Sequence, residues 1–389
     1  MDVSIGSAFQ TSNESSRRKK RRLATDDYSF ATSENFDTTD KMEEARSNFF
    51  NMVKSGENFD IAIDNWIKIY ENHPDNALQQ LQQFFISCCG CERMISSFML
   101  QTMRYDEIIL QMTEHFVDDA ENYPLVMVGP KFSDFKQNFA DFITLFDITC
   151  QILTLFPKLF VNKGEANYVS DWRIMDAVIK LLTALSNSQV QAFRHTSTFA
   201  AMKLLSALID IAVPQEKNVM QIETRKDESK TKDTSNHLRS SIFNECELVE
   251  KSNIYKMVSY LFKNVFVRRY RDFLPEIRNI CIIELGKWLK SYPEIFLIDS
   301  YLKYIGWLLH DKVVSKIRLS CVTSLLPLYD LPEMAKKLEF FTNKFQKRFV
   351  SLVMDKDYEV ATFACKLLTG ICSLYYNIII ALYYVIILL

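Results

Sequence analysis

The sequence predicts an all-α chain in which helices stack in pairs along a rod. Three observations carry that expectation. Glycine is only 8 of 389 residues, against about 7% in ordinary proteins, too few for the phosphate turns and tight corners of Rossmann, P-loop and barrel enzymes. Hydrophobic residues make up 48% of the chain and recur three and four residues apart, the mark of one buried helical face. A four-position template also returns at nearly constant intervals.

The elements follow in order. Residues 1–45 are rich in Ser, Thr, Asn and Asp and read as a disordered polar tail, because they offer too little apolar surface to offset chain entropy. Within it stand six cations, Arg17, Arg18, Lys19, Lys20, Arg21 and Arg22, a pattern an import receptor reads. Residues 59–212 form an N-terminal helical region. Ile61, Trp66, Ile69 and Tyr70 share a helical face that ends at His73-Pro74, and Leu78, Leu81, Phe84 and Phe85 mark a second helix. Phe135, Phe139, Phe142 and Phe146 make an aromatic stripe that reads as core rather than as a cofactor box. Two more helices cover 176–185 and 193–211. Residues 213–242 are polar and charged, a linker or the tip of a protruding helical pair. Helical patterning resumes over 243–372.

The template is an apolar residue, usually an arginine next, a small residue four positions on and an apolar or small one four later. It reads Phe193, Arg194, Ser197, Ala201, then Ile277, Arg278, Cys281, Leu285, then Ile317, Arg318, Cys321, Leu325. The last copy, Val360, Ala361, Ala364, Leu368, lacks the arginine. The last three copies start 40 and 43 residues apart, the first two 84 apart, close to two periods. Asp272, Asp311 and Asp355 precede the last three starts, where an acceptor caps a helix or turn. A helix-pair repeat of roughly 40–47 residues is the period of HEAT and armadillo arrays, so the expected fold is a HEAT-repeat-like α-solenoid, a rod with extended binding faces.

No catalytic motif stands out, and no enzyme, cofactor or metal is expected. The five histidines are His73, His115, His195, His237 and His310. The densest thiol group, Cys88, Cys89 and Cys91, lacks the further ligands that a closed tetrahedral zinc site needs and reads as small apolar thiols at a helix end. His310-Asp311 and Arg194-His195 read as helix caps or inter-repeat hydrogen bonds. Nine cysteines, an odd number, behind a polar start with no apolar signal segment read as reduced thiols of a cytosolic or nuclear protein. The net charge of −2 excludes a uniformly basic nucleic-acid wrapper. Locally, however, Lys263, Arg268, Arg269, Arg271, Arg278, Lys287, Lys290, Lys303, Lys312, Lys316 and Arg318 face only Asp272, Glu276, Glu284, Glu294, Asp299 and Asp311, an excess of +5. Its densest point, Arg268, Arg269 and Arg271, is the candidate contact for DNA phosphate, without sequence specificity, or for an acidic peptide.

Several strings are longer and more particular than a template. They are Phe266-Val-Arg-Arg-Tyr-Arg-Asp-Phe-Leu-Pro-Glu-Ile-Arg278, Asp299-Ser-Tyr-Leu-Lys-Tyr-Ile-Gly-Trp307 and His310-Asp-Lys312. With Ser188-Gln-Val-Gln-Ala-Phe-Arg-His-Thr-Ser-Thr198, Ser87-Cys-Cys-Gly-Cys91 and Tyr123-Pro-Leu, they resemble the stromal antigen (stromalin) subunits of cohesin, with the stromalin conservative domain over 243–372. The resemblance implies a non-enzymatic, nuclear and chromosomal scaffold that supports sister-chromatid cohesion and chromosome segregation, in mitosis or meiosis. It also implies binding to the kleisin subunit of the cohesin ring, to DNA and to regulators presented as short linear peptides. The residues it assigns to regulator binding are Tyr270, Arg271, Asp299, Lys303, Trp307, Phe341 and Phe345, the aromatics forming a pocket and the cations pairing acidic flanks. Family chains are much longer, and much of their kleisin-binding surface lies beyond this chain's last residue.

Two other readings stand beside it: another nuclear HEAT scaffold such as a transport adaptor, and a membrane-anchored helical protein. The second arises because residues 367–389 carry no charge and about 20 apolar residues span a bilayer. Tyr375, Tyr376, Tyr383 and Tyr384 sit mid-segment, away from the edges where interfacial aromatics belong. The apolar tail 373–389 is therefore expected to be the cut or misread end of a longer soluble protein.

Overall fold

The computed structural model describes residues 49–114, 116, 122–127, 132, 134–155, 172–228 and 253–374. The basic run Arg17–Arg22 and the tail 375–389 lie outside them. Every regular element among the described residues is a helix, and none of these helices is long and apolar enough to cross a membrane.

Helix α1 is described over residues 49–55 and buries Phe49 and Val53, an element the sequence pattern does not announce. Then come α2 (Phe59–Asn72) and α3 (Pro74–Cys88). They are separated only by His73, because Pro74 has no N–H to give and is preorganised for a first helical turn. In α2 the buried face is Ala62, Ile63 and Trp66. Ile61 is exposed, a correction to the expected face: two residues from Ile63 is about 200° around a helix. Helices α4 (Ser97–Thr102) and α5 (Tyr105–Thr113) are short. Helix α6 (Phe135–Leu155) carries the phenylalanine stripe. Phe135, Phe139, Phe142 and Phe146 are all buried, and Phe142 packs on Phe84 with ring centroids 4.9 Å apart.

The remaining helices are α7 (Arg173–Ser186), α8 (Gln191–Glu228), α9 (residues 253–269, with a π-helical turn at Phe262–Phe266) and α10 (Pro275–Ser291). They continue as α11 (Pro293–Phe296), α12 (Asp299–Leu308), α13 (Ser315–Tyr329), α14 (Pro332–Lys337), α15 (Glu339–Leu352) and α16 (Tyr358–Leu374). They lie in two rows. In one, α6, α8, α10, α13 and α16 each pack on the next; in the other, α7 packs on α9 and α12 on α15. This is an α-solenoid, and the template copies fall on α8, α10, α13 and α16. Ser197, Cys281, Cys321 and Ala364, the small residues of the template, are fully buried between neighbouring helices.

The arginine of each copy links its repeat to the next. Arg194 Nε donates to Asp272 Oδ2 at 3.0 Å, and its Nη1 donates to the Ser188 and Gln189 carbonyls of its own turn. Arg278 Nε donates to Asp311 Oδ2 at 2.9 Å and Nη1 to the Asp272 carbonyl at 2.8 Å. Arg318 repeats the pattern on Asp355, at 2.7 and 2.6 Å, and on the Asp311 carbonyl at 2.9 Å. Each aspartate also caps its own turn: the backbone N–H of Leu274 donates to Asp272, those of Val313 and Val314 to Asp311, and that of Asp357 to Asp355. The ladder ends at the copy that lacks the arginine.

A second polar row ties α8 to α10. Lys203 and Lys287 donate to Glu284 Oε1 at 2.7 and 2.9 Å, and Ser206 donates to Oε2 at 2.8 Å. Burial opposes ionisation of Glu284, but the two ammonium groups outweigh it and hold its carboxyl below the ordinary value. Further along, α10 and α13 meet at Gly286. A methyl group there would stand 2.4 Å from Ser324 Oγ, so the approach exists only without a β-carbon. Gly286→Ala should therefore destabilise the chain by about 1–3 kcal/mol, and Gly286→Ala with Ser324→Gly should recover most of that loss. Urea unfolding of the three proteins checks it; an unrescued double variant would place the strain elsewhere.

In the N-terminal half, His195 Nδ1 meets the Tyr123 hydroxyl at 2.6 Å, joining two of the recognised strings. Gly90 of a third lies against Tyr123 and Pro124 in a left-handed conformation, φ +84°. Burial, followed by the nearby Lys136, pushes the His195 pKa down to about 4. An unfolded histidine titrates near 6.5. Between those values the unfolded chain binds a proton that the native chain refuses, so stability should rise with pH across roughly 4 to 6.5. His195→Gln should flatten that stretch of a urea-midpoint profile. An unchanged slope would show that another group sets it.

Candidate functional site

The exposed aromatic surface is built where α9 meets α12. The π turn at Phe262–Phe266 precedes a last short helical stretch, Val267–Arg269. Across this break Phe262 stacks on Phe266 at 4.6 Å and Phe266 on Tyr270 at 6.1 Å, so one aromatic column runs down α9. Tyr270 then stacks on Trp307 at 6.0 Å and 30°, and Tyr304 stands edge-on to Trp307 at 5.7 Å. Tyr270 is buried, whereas Trp307 is 49% exposed.

Asp299, Lys303 and Trp307 are four residues apart in turn, which places them along one side of α12. Lys303 Nζ lies 5.8 Å from the centre of the Trp307 ring and 5.0 Å from that of Tyr304, a cation–π arrangement. Asp299 is exposed at the first turn, about 12 Å along the axis from Trp307. Arg271 is exposed directly after Tyr270. The arrangement offers a half-open indole with a cation over its ring, and an exposed arginine follows the tyrosine that stacks on it. That suits an aromatic side chain with acidic neighbours on an extended peptide.

Phe341 and Phe345 are not part of that surface. Both are buried and pack on one another within α15, ring centroids 4.8 Å apart and tilted by 44°. The physical reason is Gly306: with no β-carbon there, the Phe345 ring fills the space, and an added methyl would come 2.2 Å from Phe345 Cζ. Phe345 is thus the floor beneath the turn that carries Trp307, and Phe341 lies in the interior. Tyr304, which braces Trp307, is the member that the sequence pattern missed; its i−3 spacing from Trp307 is the signal that could have found it.

The arginine triad divides as well. Arg268 and Arg271 are exposed, but Arg269 is drawn inward, its Nη1 donating to Asp272 Oδ2 at 2.7 Å. Arg278 and Arg318 are ladder members. With Lys287 on Glu284, four of the eleven cations between Lys263 and Arg318 therefore serve internal pairs. The Cys88, Cys89 and Cys91 thiols are buried at the end of α3, and burial pushes Cys88 and Cys89 well above the ordinary thiol range, which makes them unreactive. Among the described residues no group of three or more His, Cys, Asp or Glu side chains is placed to hold a metal ion.

A two-row arrangement of stacked helices with an exposed aromatic–cationic surface defines the class: a helical-repeat α-solenoid protein. Comparison with known proteins gives the family. The Stromalin conservative domain model matches residues 271–346, and the STAG domain model matches residues 121–246. The chain is 42% identical over 326 residues to Cohesin subunit SA-1 of Xenopus laevis and 41% identical over 332 residues to Cohesin subunit SA-3 of Homo sapiens. It is also 39% identical over 315 residues to Cohesin subunit scc-3 of Caenorhabditis elegans. These alignments cover 82%, 84% and 79% of this chain, but only 25%, 26% and 27% of the relatives; the chain spans about a quarter of their length. The solved structure of cohesin subunit Scc3 from Z. rouxii shares the fold, with a TM-score of 0.67 at 21% identity, over 87% of this chain and 39% of that one. The chain belongs to the stromalin family.

Proposed function

We propose that this chain acts as a cohesin subunit, a non-enzymatic scaffold in sister-chromatid cohesion and chromosome segregation, working in the nucleus on chromosomes. The observation that supports this reading most is the run from Tyr270 to Trp307. From Arg271 on, it lies within the stretch that matches the Stromalin conservative domain model, on a surface suited to a partner peptide. Its partners are proposed to be the kleisin of the cohesin ring and regulators that present an aromatic residue between acids. Trp307 receives the aromatic side chain, Tyr270 and Tyr304 hold it in place, and Lys303 and Arg271 pair the acids. DNA contact is proposed through the exposed cations of the stretch from Lys263 to Arg318, whose densest point is the Arg268, Arg269 and Arg271 cluster, and which touch phosphate without reading sequence. Nuclear entry is proposed to use Arg17–Arg22.

Trp307→Ala should weaken binding of a short peptide with a central phenylalanine between glutamates by about 2–4 kcal/mol while leaving the melting curve unchanged. Phe345→Ala should instead destabilise the fold by about 3–5 kcal/mol. Fluorescence anisotropy and thermal melts separate the two, and a Trp307→Ala variant that loses cooperative melting would assign Trp307 to the core. In the same series, the tagged chain should capture kleisin from nuclear extract. Recovery of import or export factors without kleisin would favour the transport-adaptor reading, and carbonate-resistant membrane association would favour the anchored one.

A further inference from the structure

A groove of about 640 Å³ opens between the α7–α8 turn, residues 187–189, and the α9–α10 turn, residues 268–273. Four guanidinium groups line it: Arg194, Arg268, Arg269 and Arg271. One carboxylate stands among them, Asp272, and both of its oxygens are already engaged, by Arg194, by Arg269 and by the Leu274 N–H. The groove therefore keeps a local excess of three positive charges. It also keeps unused donors. Among the described residues Arg268 makes one bond, from Nη1 to Asn187 Oδ1 at 3.3 Å, and Arg269 Nε is buried with no acceptor. Phe273, on the rim, is 91% exposed.

We infer that this groove binds a phosphomonoester carried on an extended peptide, a phosphoserine or phosphothreonine side chain. A phosphomonoester brings nearly two negative charges and three strong acceptor oxygens, enough to offset most of the excess, and planar guanidinium forks match its geometry. Phe273 gives an apolar side chain next to the phosphorylated residue a surface to lie on. The internal pairs set the shape: Asp272 holds Arg194 and Arg269 fixed as the wall, and Arg268 and Arg271 are left to close on the ligand.

Two features favour a peptide over nucleic acid. Along α10 the exposed lysines that would extend a duplex track, Lys287 and Lys290, lie about 18–22 Å further along that helix, and Lys287 is already engaged by Glu284. A single-strand channel pairs a cationic groove with successive aromatics for stacking bases, and here one aromatic stands alone.

The test is fluorescence anisotropy with four labelled probes: a heptapeptide with a central phosphoserine beside a leucine, its unphosphorylated twin, a short duplex DNA and an oligothymidylate. The phosphorylated peptide should bind about tenfold or more tightly than its twin, a difference of about 1.4 kcal/mol. Arg268→Ala with Arg271→Ala should abolish that difference at an unchanged melting temperature. Arg271→Ala alone, at a side chain exposed and unbonded among the described residues, should reduce it and guards against a folding defect in the double variant. Equal binding of the two peptides would overturn the proposal. So would a loss of duplex or oligothymidylate affinity in the double variant as large as the loss for the phosphopeptide, which would assign the groove to nucleic acid.

Discussion

The stacking of this solenoid depends on one repeated interaction, the arginine of one helix pair reaching the aspartate that caps the next. Each guanidinium bonds a carbonyl of its own turn and the carboxylate of the following turn, so it fixes two turns at once. Arg278 and Arg318 are largely buried with their aspartates, with side-chain exposures of 10% and 7% in one pair and 11% and 7% in the other. A buried ion pair adds little over a well-packed apolar substitute, but removing one member leaves a stranded charge that costs about 3–5 kcal/mol. The ladder is therefore a device of register more than of net stability: any stacking that offsets the turns separates these charges. Its acid limit follows from the same contacts. Arg318, through its hydrogen bonds, holds the Asp355 carboxyl below its ordinary value. The stabilisation from that pair is complete above the unfolded aspartate range near pH 4 and is lost as pH falls through the lower native value.

The binding surfaces are by-products of that register. The turn that carries Asp272 also carries Tyr270 and Arg271, so fixing Asp272 against Arg194 fixes the end of α9. Tyr270 then lies under Trp307 because the π turn at Phe262–Phe266 rephases the helix ahead of it, and π turns inside α-helices frequently accompany function. Gly306 adds a third constraint. By admitting the Phe345 ring it seats α12 against α15 and leaves the neighbouring Trp307 facing outward. The aromatic surface takes Tyr270 and the arginine groove takes Arg271 and Asp272 of one tripeptide, and both depend on the same rung.

Much of this was legible in the sequence. Scarce glycine, helical spacing and the period of the template point to the helical stack, and the template's arginine and the preceding aspartates mark the ladder positions without saying which partner each takes. That pairing joins residues 33 to 78 positions apart and is visible only once the helices are stacked. The cation excess between Lys263 and Arg318 was legible as a sum but misleading as a surface, because composition does not separate a ladder arginine from an exposed one. Phe341 and Phe345 share the helical spacing of surface aromatics and core aromatics alike, and a glycine on a different helix decides which they are. The helix over residues 49–55 escaped because its two buried side chains are too few to establish a period.

The central claim is that successive repeats are coupled through these pairs. The most direct measurement is a double-mutant cycle on Arg278 and Asp311, using Arg278→Met and Asp311→Asn, the asparagine keeping an oxygen to cap Val313 and Val314. Urea unfolding of the parent, the two single variants and the double variant gives the coupling energy. The ladder account predicts that the singles are strongly destabilised and the double is not their sum, with a coupling of about 2 kcal/mol. Additivity within about 0.5 kcal/mol would contradict it and would mean that the helices find their register by packing alone.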